Sequence, residues 1–274
     1  SSDLFDEALK RIRWLYDEFD DVVVSFSGGK DSVVVYELTL IVARERNRLP
    51  LKVLFLDQEA ELQATIDLME EVMTSDEVEP MWFQMPMKIF NATSSDDPWI
   101  FCWDKDKEDV WMRPRVPYAI TENVYGTDRF KAMFTAIMKH DFAPKSVNIG
   151  GVRGEESPAR LLSLTGAVTY KGETWGKLLD KDNDKYTFYP IYDWSYTDVW
   201  KSIHDNNWKY NRVYDQQFSW GVPVLEMRVS SLCHETSVSN LKYLQEVEKE
   251  TWVKLTQRLK GIDTEGKFGK DLGC

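Results

Sequence analysis

Cysteine and histidine are scarce in this chain. Cys102, Cys233 and Cys274 stand far apart, no Cys-x-x-Cys pair occurs, and His140, His204 and His234 show no metal-ligand spacing. Neither zinc nor an iron–sulfur cluster is therefore expected, and no disulfide framework is expected in a reducing compartment. Long apolar runs are missing too. None approaches the roughly 20 residues that span a bilayer, and the first twelve residues mix charged and apolar types instead of forming a signal pattern. No membrane association is expected, and the expected location is the cytoplasm. Positive charge is in deficit, with 34 Lys+Arg against 46 Asp+Glu and a net charge of −12. Broad nucleic-acid binding needs a basic footprint and is not expected, although a local basic pocket is compatible with this balance. Repeats, low-complexity tracts and linker-like runs are also lacking.

What is present is enough apolar residue, 43% of 274, for one large domain or a domain plus an appendage. Eight of the eleven tryptophans fall between Trp99 and Trp220. Such residues serve as core or pocket walls, or stack on a base. The most informative stretch is Ser25-Phe26-Ser27-Gly28-Gly29-Lys30-Asp31-Ser32, set between Val22-Val23-Val24 and Val33-Val34-Val35-Tyr36. This reads as strand, tight turn and helix start. A helix start offers backbone N–H groups and the positive end of its dipole. Two glycines let the backbone close around an anion, and Lys30, Ser27 and Ser32 add a charge and hydroxyl donors. The ligand these groups suit is a phosphate, most simply that of a nucleotide. The spacing is neither Gly-x-x-x-x-Gly-Lys-Ser/Thr nor Gly-x-Gly-x-x-Gly.

The pattern along the chain predicts an amphipathic helix over 3–18, a strand from Val22, a helix over about 31–48, a strand over 52–56, a helix over about 60–73 and a strand over 81–85 introduced by Pro80. That order implies parallel strands with right-handed crossovers, with ligands bound beyond the strands' carboxyl ends. The Ser27 loop and Asp57 both occupy such ends and are expected to face one cleft. Residues 86–127, rich in proline and aromatics, read as an irregular insertion, and 103–109 as a solvated turn. A helix over about 128–140 and a strand over 145–149 follow. Beyond Gly150-Gly151, Arg153, Ser157 and Arg160 suit a phosphate or sulfate. The same residues also suit a helix start, with Ser157 as N-cap and Pro158 first in the helix. Asp31 favours its helix N-terminus electrostatically or acts in catalysis or metal binding. Ser195 and Asp198 have capping-box spacing. Residues 208–238 read as irregular, a last helix spans about 240–260, and the tail from Gly261 reads as loose. Cys233 beside His234 is a nucleophile candidate or simply a buried thiol.

Four blocks, Ser27–Ser32, Phe55-Leu56-Asp57, Gly151–Arg160 and Tyr189–Trp194 with Asp198-Val199-Trp200, give the chain its family likeness. It resembles the phosphoadenosine phosphosulfate (PAPS) reductase-like branch of the PP-loop ATP pyrophosphatase superfamily, the adenine nucleotide alpha hydrolase-like proteins. Leu56–Glu61 and Trp103–Pro114 look like a subgroup of prophage-type co-activators and PAPS sulfotransferases. The resemblance implies an α/β fold, a parallel sheet with helices on both faces, carrying the insertion at about 86–127 and a C-terminal helical region. The domains are then 1–215, binding nucleotide, and 216–274, packing on it. It implies ATP or PAPS as the nucleotide, Mg²⁺ held in part by Asp31, and a ParB-like partner protein. Lys30, Asp31 and Arg153 would be catalytic. Ser25, Ser27, Gly28, Gly29, Lys30, Asp31, Ser32, Asp57, Gly151, Arg153 and Arg160 would bind nucleotide.

Adenylyl or sulfur-group transfer with cleavage between the α and β phosphates is the expected reaction. Two alternatives stand beside it: a thiol-dependent PAPS reductase using Cys274 or Cys233, and a non-catalytic nucleotide sensor acting through a partner. Against the reductase, the tail Asp271-Leu272-Gly273-Cys274 lacks the Glu-Cys-Gly-Leu-His motif of thiol-dependent PAPS reductases.

Overall fold

The computed structural model describes residues 2–238, 241–259 and 262. Cys274 and nearly all of the tail from Gly261 lie outside the described residues. The chain packs as two compact units, one of Ser1–Phe55, Glu71–Met81 and Thr135–Tyr210, the other of Leu56–Glu70, Trp82–Phe134 and Asn211–Cys274.

The chain starts with helix α1 (Ser2–Glu18), whose Ala8, Ile12 and Leu15 form its buried stripe. Strand β1 (Asp21–Ser25) is buried over Val22–Val24, and helix α2 (Lys30–Glu45) follows it. Burial explains the apolar start of α2. The helix packs on α1, and Val33, Val34, Val35 and Leu38 are all sequestered. It ends three residues earlier than the pattern predicted because Asn47 adopts a left-handed conformation, φ 53°, and Arg48 N–H turns back to the Ala43 carbonyl at 2.9 Å. Strand β2 (Leu51–Leu56), helix α3 (Gln63–Met73) and strand β3 (Val78–Phe83) come next. Pro80 lies inside β3 instead of introducing it. β3 is an edge strand, where a residue without an N–H is tolerated.

The insertion is more regular than its composition suggested. Strands β4 (Met87–Phe90) and β5 (Trp99–Cys102) pair as an antiparallel hairpin, with Met87, Ile89, Ile100 and Cys102 inward and Lys88, Phe90, Trp99 and Phe101 outward. Lys105–Val110 is a 3₁₀ turn capped by Asp104 and free of buried residues, as expected of a solvated turn. Then come α4 (Phe130–Asp141), β6 (Ser146–Ile149), α5 (Pro158–Thr165), β7 (Gly176–Asp180), β8 (Lys185–Phe188) and α6 (Tyr196–Asp205). Lys185 sits on a fully buried strand because its ammonium caps the end of α4. It donates to the carbonyls of Met138, Lys139 and Phe142 at 3.0, 2.9 and 2.5 Å.

The six strands are ordered β3-β2-β1-β6-β8-β7 and are flanked by helices. β1 runs parallel to β2 and β6, β6 parallel to β8, and only the edge strand β7 is antiparallel among these pairings. The chain moves outward from β1 to one side through β2 and β3, then returns to place β6 on β1's other side. The carboxyl ends of β1 and β6 thus form a topological switch point, where open α/β sheets bind ligands. Among the described residues, no helix is long and apolar enough to cross a membrane.

The stretch expected to be irregular over 208–238 holds helices α7 (Val213–Trp220) and α8 (Glu235–Val238). The expected single last helix is two, α9 (Leu241–Val247) and α10 (Lys249–Arg258). The break has a partner-driven cause. Glu248 leaves helical geometry (φ −128°, ψ 68°), and its carboxylate accepts from the Gln63 and Ala64 N–H groups at 2.8 and 3.1 Å. It caps the start of α3, whose first N–H groups lack intrahelical partners. That unit's core joins Ala60 and Leu62, Ile89 and Ile100 of the hairpin, and Leu241, Leu244 and Leu255 of the last helices.

Candidate functional site

The first unit builds the loop after β1 as its sequence requires. Gly28 takes φ 80°, a conformation open to glycine at little cost. Gly29 is the N-cap of α2 and brings no capping side chain, which suits an external anion at the helix start. Ser32 ties the loop together, donating to the Gly29 carbonyl at 2.8 Å and accepting from the Ser27 N–H at 3.3 Å. Ser27 is exposed at the rim. The hydroxyl of Ser25 points to the neighbouring strand and donates to Asn148 Oδ1 at 2.6 Å, locking β1 to β6 beneath the loop.

Asp31 is the electrostatic centre. Its Oδ2 accepts from Lys30 Nζ at 2.9 Å and its Oδ1 from Arg153 Nε at 2.5 Å. Arg153, 4% exposed, also donates to Glu155 at 2.7 Å. Burial works against the Arg153 charge, but Asp31 first and then Glu155 and Glu156 outweigh it, so its pKa rises. Tyr196, at the start of α6, sets its ring 5.5 Å from Lys30 Nζ. Its own N–H donates to Glu155 at 2.5 Å, and burial raises the pKa of its phenol. Two cations therefore converge on one carboxylate at a helix N-terminus. An incoming phosphate can compete for both.

Gly151 makes this convergence sterically possible. A Cβ there would stand 2.7 Å from the Asp31 carbonyl carbon and 2.8 Å from Ser32 N, both backbone atoms that cannot rotate away. Gly151→Ala is expected to push the β6 loop off α2 and cost about 1–3 kcal/mol. Urea unfolding followed by circular dichroism measures this; an unchanged midpoint would contradict the close approach.

Sequence-predicted residues thus divide. Ser27, Gly28, Gly29, Lys30, Asp31, Ser32, Gly151 and Arg153 come together. Arg160 does not join them. It is exposed, with Nε 3.3 Å from Glu156, and the N-cap reading of its loop holds: Ser157 accepts from Arg160 N–H, with Pro158 first in α5. The Ser195–Asp198 capping box is also present at α6. Tyr196 and Glu155 were missed. Tyr196 follows the Ser195 cap directly, and Glu155 lies within the Gly151–Arg160 block, two residues after Arg153.

Asp57 belongs to the second unit, where it is fully buried. Its carboxylate accepts from the Glu59 N–H at 2.8 Å, Trp82 Nε1 at 2.8 Å, Gln84 Nε2 at 3.0 Å and Arg113. What Asp57 does here is organise the strand-end loop. Glu59, also fully buried with φ 66°, pairs with Arg258 Nε at 2.7 Å and accepts from the Trp103 N–H at 2.8 Å. The two blocks Leu56–Glu61 and Trp103–Pro114 therefore form one polar network inside this unit.

Cys233 is 1% exposed, and burial, with Glu59 and Glu61 adding, pushes its thiol up to about 12. Cys102 is buried and likewise raised by burial. Neither has the accessible, electropositive setting of a reactive thiolate. Cys233→Ser is expected to leave any nucleotide turnover unchanged within about twofold, as measured by product release; a loss of a hundredfold or more would restore the nucleophile reading.

The strand, the glycine turn at the switch point and the opposed arginine belong to an α/β fold with a largely parallel sheet. The chain belongs to the phosphoadenosine phosphosulfate reductase domain family, whose model matches residues 21–220. It is 27% identical over 278 residues to the Escherichia coli (strain K12) "Uncharacterized protein YbdN", covering 97% of this chain and 67% of that one. Among solved structures it is similar to a PAPS reductase from Candida auris (13% identity, TM-score 0.43, 76% of this chain and 84% of that chain). It is similar also to the FMN adenylyltransferase of Candida glabrata (14%, 0.44, 77% and 58%). An NH3-dependent NAD synthetase from Campylobacter jejuni is a third (13%, 0.40, 97% and 96%).

Proposed function

We propose that the loop from Ser27 to Ser32 binds the phosphate chain of ATP or of an adenylyl-sulfate nucleotide such as PAPS. We propose further that the chain is an enzyme transferring either the adenylyl group of ATP, with cleavage between the α and β phosphates, or the sulfur group of PAPS, with the bisphosphate as leaving group. The observation that carries this is the pairing of Lys30 and Arg153, one from each side, on the single carboxylate of Asp31. Membership of the PAPS reductase domain family supports it. A bound phosphate would take over the two cations, with Lys30 set to stabilise charge growing on the leaving group and Arg153 to hold the phosphate or sulfate in register. Glycines 28 and 29 let that group approach the backbone.

Mg²⁺ fits this arrangement only in part. Asp31 is the one carboxylate at the loop and both its oxygens are engaged by cations. Among the described residues, no group of three or more His, Cys, Asp or Glu side chains converges as a metal site. The ion would be held by Asp31 together with phosphate oxygens, as is usual for Mg²⁺, and when bound it would offset phosphate charge. The test is incubation with α-labelled ATP or PAPS and Mg²⁺. AMP with pyrophosphate from ATP, or the bisphosphate from PAPS, is the expected result. Saturable nucleotide binding with no product across acceptors and reductants would instead favour a nucleotide sensor.

A further inference from the structure

A second cavity, of about 350 Å³, opens within the second unit, away from any residue used above for phosphate. Glu61, Met112 and Arg113 line it from the two subgroup blocks, and residues 246–251 with Lys254 line it from the last two helices. Its size lies in the range of small-ligand pockets.

Glu61 is the feature that the fold leaves unexplained. It is 7% exposed and makes no salt bridge among the described residues. The neighbouring guanidinium does not neutralise it: Arg113 donates through Nη2 to Asp57 and through Nη1 to the Glu59 carbonyl at 3.1 Å. Arg113 Nε is buried without a partner. A buried carboxyl with no counter-cation is costly when charged. Burial first, then the Asp57 charge, raise its pKa to about 8 against the opposing Arg113 charge and a hydrogen bond from the Gln58 backbone, neither of which supplies a paired cation. Around it, Glu246, Glu248 and Glu250 outnumber Lys249 and Lys254 on the helical wall.

We propose that this cavity binds the primary ammonium group of a small organic amine, with Glu61 as its counter-ion. An anion would meet four carboxyl side chains, Glu61, Glu246, Glu248 and Glu250, against Arg113, Lys249 and Lys254 in the lining. A divalent metal needs several converging oxygen donors, and no such group of three occurs among the described residues. An ammonium group needs one carboxylate and a few acceptors, and it supplies the charge that Glu61 lacks. Binding at neutral pH proceeds as ammonium plus protonated Glu61 giving an ion pair and one proton released to solvent. The proposal is independent of the nucleotide reading.

Calorimetry on the full chain tests it with 1,4-diaminobutane as probe and 1,4-butanediol as the uncharged control. Saturable binding of the diamine alone is expected. At pH 7, runs in phosphate and in Tris should differ in apparent heat by the release of about one proton per site. Affinity should rise as pH climbs from 6 to 8, by up to about tenfold per unit. Asp57, Arg113 and the Cys233 thiol interact with Glu61, and Glu246, Glu248, Lys249, Glu250 and Lys254 line the same cavity, so the buffer comparison, not the pH slope alone, identifies the proton. Glu61→Gln should abolish both binding and proton release, while nucleotide binding persists. Lys30→Ala should leave the diamine isotherm unchanged. Absence of saturable diamine binding between pH 6 and 9, equal binding of the diol, no proton release in the unaltered protein, or full binding by a folded Glu61→Gln variant would each overturn the proposal.

Discussion

Arg258→Met is expected to destabilise the second unit by about 3–5 kcal/mol, the cost of leaving one member of a buried ion pair without the other. Arg258 Nε and Nη2 lie 2.7 and 3.2 Å from the two oxygens of Glu59, and Nη2 also holds the Phe101 carbonyl at 2.9 Å. Glu59 is fully buried, so its charge has no solvent to turn to. Without Arg258 that carboxylate retains the N–H of Trp103. The double variant Glu59→Gln with Arg258→Met should recover much of the loss, because the orphaned charge goes with its partner. Urea unfolding monitored by tryptophan fluorescence reads both, since Trp103 is in the network. If the single variant unfolds at the same midpoint as the unaltered protein, the ion pair does not support the fold.

Lys30→Ala is the second large effect, and it falls on function instead of stability. Lys30 lies at the first position of α2, where alanine is an excellent helix former. The fold should tolerate the change. Nucleotide affinity should fall about 10–100-fold, the worth of a charge-assisted bond to phosphate. If the group also stabilises the leaving phosphate, turnover should fall by a further factor of about 10²–10³. Calorimetry with ATP and with PAPS gives the first number, and single-turnover product formation gives the second. Loss of affinity without further loss of rate would make Lys30 a binding group alone. Unchanged affinity would remove it from the site.

The sequence was most legible where structure is local. The glycines, serines and lysine of the Ser27–Ser32 loop act on each other over a few residues, and the loop folds as the pattern implies. The caps at Ser157 and Ser195 were readable for the same reason. Long-range pairing was not. Asp31 and Arg153 are 122 residues apart, and only the family likeness joined them. Burial of Asp57 was invisible because its partners Trp82, Gln84 and Arg113 come from separate segments. The hairpin β4–β5 escaped because each strand has four residues, too few for a period to declare itself. The break at Glu248 follows from the start of a helix 185 residues earlier, and nothing near Glu248 announces it.

A nucleotide is proposed to place its phosphates at the Lys30 loop. Crystals soaked with ATP and, separately, with PAPS test it most directly. Phosphate or sulfate density within hydrogen-bonding reach of the Gly29 and Lys30 backbone and of the Arg153 guanidinium is the expected result, with Asp31 released from at least one of its two cations. An ordered nucleotide elsewhere on the chain, with the Lys30–Asp31–Arg153 pairing untouched, would contradict it.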